Sequence, residues 1–209
     1  MRNRVCYIIG AGDFTARGLS PKPGDMVIAA DGGYAALKKL GIRPHAVIGD
    51  MDSYQGRVAG VPLIRFPTKK DDTDTSLALR LGLRRGFRHF RLFGASGDRI
   101  DHFQANLQLM HSLSRRGCHL RLMAPGFTVY AVSNSGLAIH GVQPGQTVSV
   151  LAFGGRAQGV TLRGLLYPLR NATLSHLFPL GVSNRAVRPV IGVRVRLGTL
   201  MVFVMEPGG

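Results

Sequence analysis

The first half of the chain alternates short apolar runs with stretches of helical periodicity, and that alternation leaves few folds open. "VCYIIG" and "MVIAA" are short apolar runs rich in β-branched residues and followed by Gly or Asp, and "HAVIGD" and "HFRLFG" are further strand-sized runs. Such runs belong to buried parallel strands. Between them, "GYAALKKLG" predicts a short helix with a Gly stop, and "TDTSLALRLGLRRG" a longer one opened by Thr73 or Asp74 as a capping residue. "DHFQANLQLMHSLSRRG" sets Phe103, Leu107, Met110 and Leu113 at helical spacing, and "HLRLMAP" closes the series. Strand and helix in turn predict an α/β fold with an open parallel sheet and flanking helices.

From about Gly126 the texture changes. "FTVYAVS", "SGLAIHG", "QTVSVLAFG", "GVTLRGLLYPL", "VIGVRVRLG" and "TLMVFVME" are short alternating strands separated by Gly, Pro, Ser and Asn. That pattern predicts an all-β sandwich or barrel, with "VRVRLGTLMVFV" as a terminal hairpin. The break falls in "MAPGF", so residues 1–124 are expected to form the α/β domain and 125–209 the β-sandwich domain. Polar "LGVSNRAV" interrupts the second half as a binding loop or a plain turn would.

No apolar run approaches the roughly 20 residues that a membrane helix needs, and the N-terminal run is too short for a signal sequence. Cys6 and Cys118 lack a CxxC partner or a His at metal spacing. A soluble cytoplasmic protein with two reduced thiols is expected, with no membrane partner. The net charge of +16 raises a nucleic-acid interaction. Its densest clusters, "RRGFRHFR" and "SRRG", fit helix ends, where cations favour the macrodipole. With no stacking platform or zinc-finger spacing, no nucleic-acid partner is expected.

The acids are scarce and concentrated. Against 27 Lys and Arg stand 11 acidic residues, and eight of these fall in "ADGG", "GDMDS", "KKDDTD" and "GDRIDH". After Asp101 only Glu206 remains. Asp31, Asp50 and Asp52 follow the carboxyl ends of predicted strands, as do the other acidic loops, and ligands of open α/β sheets bind outside those ends. Carboxylates gathered in one crevice repel each other unless a counter-charge joins them. One or two Mg²⁺ ions, with waters and phosphate oxygens, would satisfy them. Asp50 and Asp52 project to the same side of an extended segment. Lys69, Lys70 and Arg99 lie among the acids, as polyphosphate chemistry requires. No His/Cys set for zinc and no G-x-S-x-G elbow is present. "GAGDFT" lacks the third glycine of a dinucleotide fingerprint and supports only a tight turn at a strand end.

In order along the chain, "AADGG", "GDMDS", "KDDTDTSLAL", "GDRIDHFQANL", "GVTLRGLLYPL" and "GVSN" resemble the motifs of the thiamine pyrophosphokinase family. The resemblance implies a catalytic α/β domain, a thiamine-binding β domain, and a homodimer with thiamine at the subunit interface. It implies Mg²⁺-dependent transfer of pyrophosphate from ATP to the thiamine hydroxyl, releasing AMP. Asp31, Asp50, Asp52, Asp71 and Asp74 match the acids around Mg²⁺ and the ATP phosphates, with Asp50, Asp52 and Asp74 as the metal set. Lys70, Arg99, Asp101 and His102 match segments lining the nucleotide and reaction centre, and Asn106 belongs to the same helix start. Ser183 and Asn184 match a pair near thiamine, and Tyr167 occupies an aromatic position able to stack on it. Asp98, Phe103 and Arg185 depart from the family pattern.

Asp50, Asp52, Asp71, Asp74, Arg99 and Asp101 are thus the expected catalytic residues, with Asp71 or Asp101 as the base. Asp31, Lys70, Asp74, Arg99, His102 and Asn106 would hold ATP; Tyr167, Ser183 and Asn184 would hold thiamine. Two alternatives stay open: a pyrophosphokinase for another hydroxymethyl heterocycle, such as a pterin, and a non-catalytic nucleotide or nucleic-acid binder.

Overall fold

A computed structural model describes residues 3–49, 60–64 and 72–207. The chain divides into two compact units. One comprises Met1–Leu109 and Leu122–Pro125, the other Met110–Arg121 and Gly126–Gly209.

In the first unit, β1 (Val5–Ile9) pairs in parallel with β2 (Met26–Ala30). Helix α1 (Gly33–Lys39) follows, then β3 (Ala46–Ile48) and β4 (Leu63–Ile64), which extend the parallel ladder from β2. Helix α2 (Asp74–Arg84) leads to β5 (His89–Phe93), which lies parallel on the other side of β1. All five residues of β2 are buried, which explains an apolar run without alternation: both faces of a parallel sheet are covered. Tyr7, Ile9, Val27, Ala29, Leu37, Val47 and Phe93 form one core cluster, and each such large side chain contributes roughly 1.5–3 kcal/mol on burial. Thr73 caps α2, its Oγ1 accepting from Ser76 N at 3.2 Å, and Arg84 occupies the last turn. Burial pushes the Cys6 thiol up to about 12, so it stays protonated and inert. Helix α3 (Ile100–Ser114) and strand β6 (His119–Ala124) complete the α/β half of the sequence.

The second unit carries β7 (Phe127–Ser133), β8 (Gly136–His140), β9 (Thr147–Ala152), β10 (Arg156–Arg163) and β11 (Leu169–Ser175). The short β12 (Asn184–Arg185), β13 (Val190–Arg194) and β14 (Thr199–Met205) follow. β12, β9, β14 and β7 are successive antiparallel neighbours, and β11, β10, β13 and β8 form a separate four-stranded antiparallel sheet. One core draws on both sets: Val132, Val150 and Val202 from the first, Ile139, Leu162, Leu174 and Ile191 from the second. His111 also belongs to this unit, with its ring 5.5 Å from that of Phe153.

The expected terminal hairpin is absent. β13 pairs with β10 and β8, whereas β14 pairs with β7 and β9, so consecutive strands enter different sheets. The connection between them is bonded elsewhere. Arg196 N and Leu197 N donate to Gln158 O, Val195 N donates to Ser135 O, and Gly198 N donates to Asn134 Oδ1 at 2.8 Å. A side chain at Gly198, where φ is +104°, would lie 2.4 Å from Arg156 O. Alternating hydrophobicity marks both strands but carries no information on which sheet each joins.

Candidate active site

A cavity of about 610 Å³ opens at the carboxyl ends of the parallel strands in the first unit. Gly10–Asp13 after β1, Ala30 and Asp31 after β2, residues 72–75 before and at the start of α2, and 94–99 after β5 supply most of its wall. Leu77 and the α3 residues His102, Phe103 and Asn106 complete it. This is where open α/β sheets bind ligands, because strand-end loops and helix N-termini point there.

The floor is made of backbone in close approach. Gly10 N donates to Phe93 O at 2.7 Å, Gly12 N to Gly94 O at 2.9 Å, and Asp13 N to Ser96 O at 2.8 Å. A Cβ on Gly10 would meet Gly94 O at 2.5 Å, and one on Gly12 would meet Ser96 O at 2.0 Å. No side chain fits either place. The glycines after β1 were legible only as a tight turn; their second role, bringing Asp13 into the cavity, depends on β5 being the neighbouring strand.

Asp31 sits at φ +49°, a left-handed conformation uncommon outside glycine. Its amide donates to Ile48 O at 2.7 Å. Its Oδ1 is buried with no hydrogen-bond partner among the described residues. Leaving a carboxylate oxygen in that state is costly without a ligand. Asp74, placed in the first turn of α2 by the Thr73 cap, directs Oδ2 to within 3.2 Å of the position a Gly49 Cβ would take, where Asp31 Cα also lies at 3.2 Å. The first turn of α2 and the loop carrying Asp31 therefore converge beside Gly49. Asp72 is engaged otherwise, with Arg80 at 2.8 Å and Ser76 Oγ at 3.2 Å.

Arg99 lines the cavity and grips Asp101 through two bonds, Nε to Oδ1 at 2.9 Å and Nη2 to Oδ2 at 2.7 Å. The hydrogen bonds from Arg99 hold the Asp101 carboxyl well below the usual range, and the same pairing raises Arg99 further. Asp101 is exposed and is not part of the cavity wall. Asn106 is buried at the wall, its Nδ2 donating to Ala95 O at 2.9 Å, which ties α3 to the loop after β5.

Of the expected nucleotide residues, the cavity gathers Asp31, Asp74, Arg99, His102 and Asn106. Asp50, Asp52, Lys70 and Asp71 lie outside the described residues. Among the described residues, no group of three or more His, Cys, Asp or Glu is assembled for a metal. Sequence inspection did not single out Asp13, Thr75 and Ser96, which the cavity includes. Their sole signal is position: Asp13 and Ser96 follow β1 and β5, strands that prove to be neighbours, and Thr75 sits in the first turn of α2. Tyr167, Ser183 and Asn184 come together in the second unit: Asn184 is buried, and its side chain bonds the Tyr167 backbone at 2.8 and 3.0 Å. The Tyr167 ring is exposed, and the Ser183 amide donates to Ser149 Oγ at 3.0 Å.

Comparison with known proteins agrees with this layout. Residues 22–122 match the catalytic domain of thiamin pyrophosphokinase, and residues 138–200 match its vitamin B1 binding domain. Thiamine pyrophosphokinase of Bacillus subtilis strain 168 is 28% identical over 166 residues, 77% of this chain and 78% of that protein. The crystal structure of thiamine pyrophosphokinase from Bacillus subtilis superposes with a TM-score of 0.88 at 23% identity, covering 97% of this chain and 99% of that one. Thiamin pyrophosphokinase from Candida albicans shares the fold at 15% identity, with a TM-score of 0.81 over 98% of this chain and 90% of its own. With both halves matched by the two domain types of one family, and in the same order, the chain belongs to the thiamine pyrophosphokinase family.

Proposed function

We propose that the protein is a thiamine diphosphokinase, transferring the pyrophosphoryl group of ATP to the hydroxyl of thiamine with release of AMP. In this assignment residues 1–124 form the catalytic domain and 125–209 the β-sandwich that binds thiamine. The observation that carries the nucleotide half is the buried, unpartnered Asp31 Oδ1 beside Asp74, in a cavity at the strand ends.

Those groups fit a divalent cation. A hard carboxylate oxygen such as Asp31 Oδ1, buried with no partner among the described residues, suits Mg²⁺, and Asp50, Asp52 and Asp74 are the residues that would hold it, with Asp31 alongside. Mg²⁺, when bound, neutralises polyphosphate charge and polarises the phosphorus under attack. Lys70 and Arg99 steady the phosphate oxygens, and the loops tied at Gly10, Gly12 and Gly94 bring backbone close to the nucleotide. The thiamine oxygen forms a bond to the β-phosphorus, the bond from that phosphorus to the α,β-bridging oxygen breaks, and AMP departs with the electron pair. The hydroxyl proton is lost as the new bond forms. Asp101, locked low by Arg99, is a poor acceptor for it, and Asp71 remains the candidate base.

Tyr167 and Ser183 contact thiamine, in a homodimer with the substrate at the subunit interface. Among the described residues no helix is long and apolar enough to cross a membrane, and a cytoplasmic enzyme is in keeping with that. Incubation with ATP, Mg²⁺ and thiamine should yield AMP and thiamine diphosphate in equal amounts. Release of ADP, or no phosphorylated thiamine at saturating substrates, would overturn the assignment.

A further inference from the structure

Resting on the thiamine assignment above, we propose that Asn184 is a positioning residue whose carboxamide holds the Tyr167 backbone just beyond the end of a strand ladder and fixes where Tyr167 presents its ring. The segments containing Tyr167 and Asn184 run antiparallel. Val187 N donates to Gly164 O at 2.9 Å, Leu166 N donates to Arg185 O at 2.8 Å, and Leu165 forms a bridge with Ala186. The next rung of this register would pair Ser183 with Pro168, which has no N–H to give. Ser183 stands at φ +56°, and its N–H is turned to Ser149 Oγ. The ladder therefore ends one residue before Tyr167.

The Asn184 side chain takes over where the ladder stops. Its Oδ1 accepts from Tyr167 N at 3.0 Å and its Nδ2 donates to Tyr167 O at 2.8 Å, engaging both backbone groups that the ladder to Arg185 and Val187 does not use. The same Oδ1 accepts from Arg185 N at 2.8 Å, so both lone pairs are engaged. Asn184 is 5% exposed while Tyr167 is 66% exposed. Pro168 follows, fixing φ on the far side. A ring open to solvent is thus carried on backbone restrained from both directions, which lowers the ordering cost of stacking a ligand on it. Asn184 acts through Tyr167, not on the substrate.

The test compares KM for thiamine, KM for ATP and kcat. Asn184→Ala should raise the thiamine KM about tenfold, with ATP KM unchanged and kcat lowered by no more than about threefold. Tyr167→Ala should do the same, and the double variant should be no worse than Tyr167→Ala alone, since the two changes remove one function. Asn184→Asp gives a second readout, one that a purely structural role would not move. Its oxygen facing the Tyr167 carbonyl repels when ionised and donates when protonated; burial raises that carboxyl pKa, and the adjacent Arg185 cation is exposed and screened. Its thiamine KM, taken relative to the parent protein, should recover as pH falls from 8 to 6. Full additivity in the double variant, or an unchanged thiamine KM in Asn184→Ala, overturns the positioning role. If the unaltered protein makes no thiamine diphosphate, the functional assignment falls first and this one with it.

Discussion

The two units solve the problem of holding a ligand with different materials. In the first, charge is concentrated at the strand ends: Asp13, Asp31, Asp72, Asp74, Asp98 and Arg99 share one cavity. In the second, almost nothing is acidic; Glu206 is the lone carboxylate after residue 101. What it offers instead is an exposed aromatic on restrained backbone, with Leu166, Leu177, Phe178 and Leu180 also exposed. A polyphosphate with its cations needs fixed charges, whereas a flat heterocycle needs a surface. The contrast shows why the first unit is readable from residue types and the second only from geometry.

Breaking the charge side should have the largest effect. Asp74→Asn is expected to cut kcat at saturating Mg²⁺ by about a hundredfold or more, measured as AMP release. Asp101→Asn, outside the cavity wall, should cost far less; equal losses would erase the distinction drawn between them. Next comes the floor of the cavity. Gly12→Ala forces a methyl to 2.0 Å from Ser96 O and should destabilise the protein by about 2–4 kcal/mol in urea titrations, whereas Gly117→Ala, with open space around it and only its left-handed φ of +75° to strain, should cost about 1 kcal/mol.

On the surface side, Tyr167→Ala should weaken thiamine binding about tenfold, or about 1.4 kcal/mol, and Tyr167→Trp should restore it, followed by calorimetry. Parallel losses for ATP would mean that the two sites are not separable in this way. The smallest effect concerns His111, whose pKa burial lowers below 6.5, helped by Arg115. Its folded value is depressed, so its contribution is fully present above 6.5 and is lost as pH falls through the folded value. Stability in urea should decline between pH 7.5 and 5.5, and His111→Gln should flatten that decline slightly.

Sequence reading located the strand ends well because an apolar run stopped by Gly or Asp is a local signal. β1, β2, β3 and β5, the Thr73 cap and the break in texture near Gly126 all have such signatures. Pairing is different in kind. "VRVRLGTLMVFV" looks like a hairpin because both arms alternate, yet Gln158 and Asn134, some 40 and 64 residues away, claim the donors of the turn. Asp13 was missed for the same reason, since its entry into the cavity depends on β5 lying next to β1. Asn184 could be found by motif but not by role; that required seeing its side chain bond both backbone groups of Tyr167.

Gly10, Gly12 and Gly94 have one more implication. Two loops whose facing residues lie 84 apart in sequence press backbone on backbone, so neither can gain a side chain unless the other retreats. Evolutionary drift in this corner is therefore blocked one residue at a time. Relatives that remodel the nucleotide pocket should show compensating exchanges in both loops together, and engineered libraries that vary only one of them should return mostly unfolded protein.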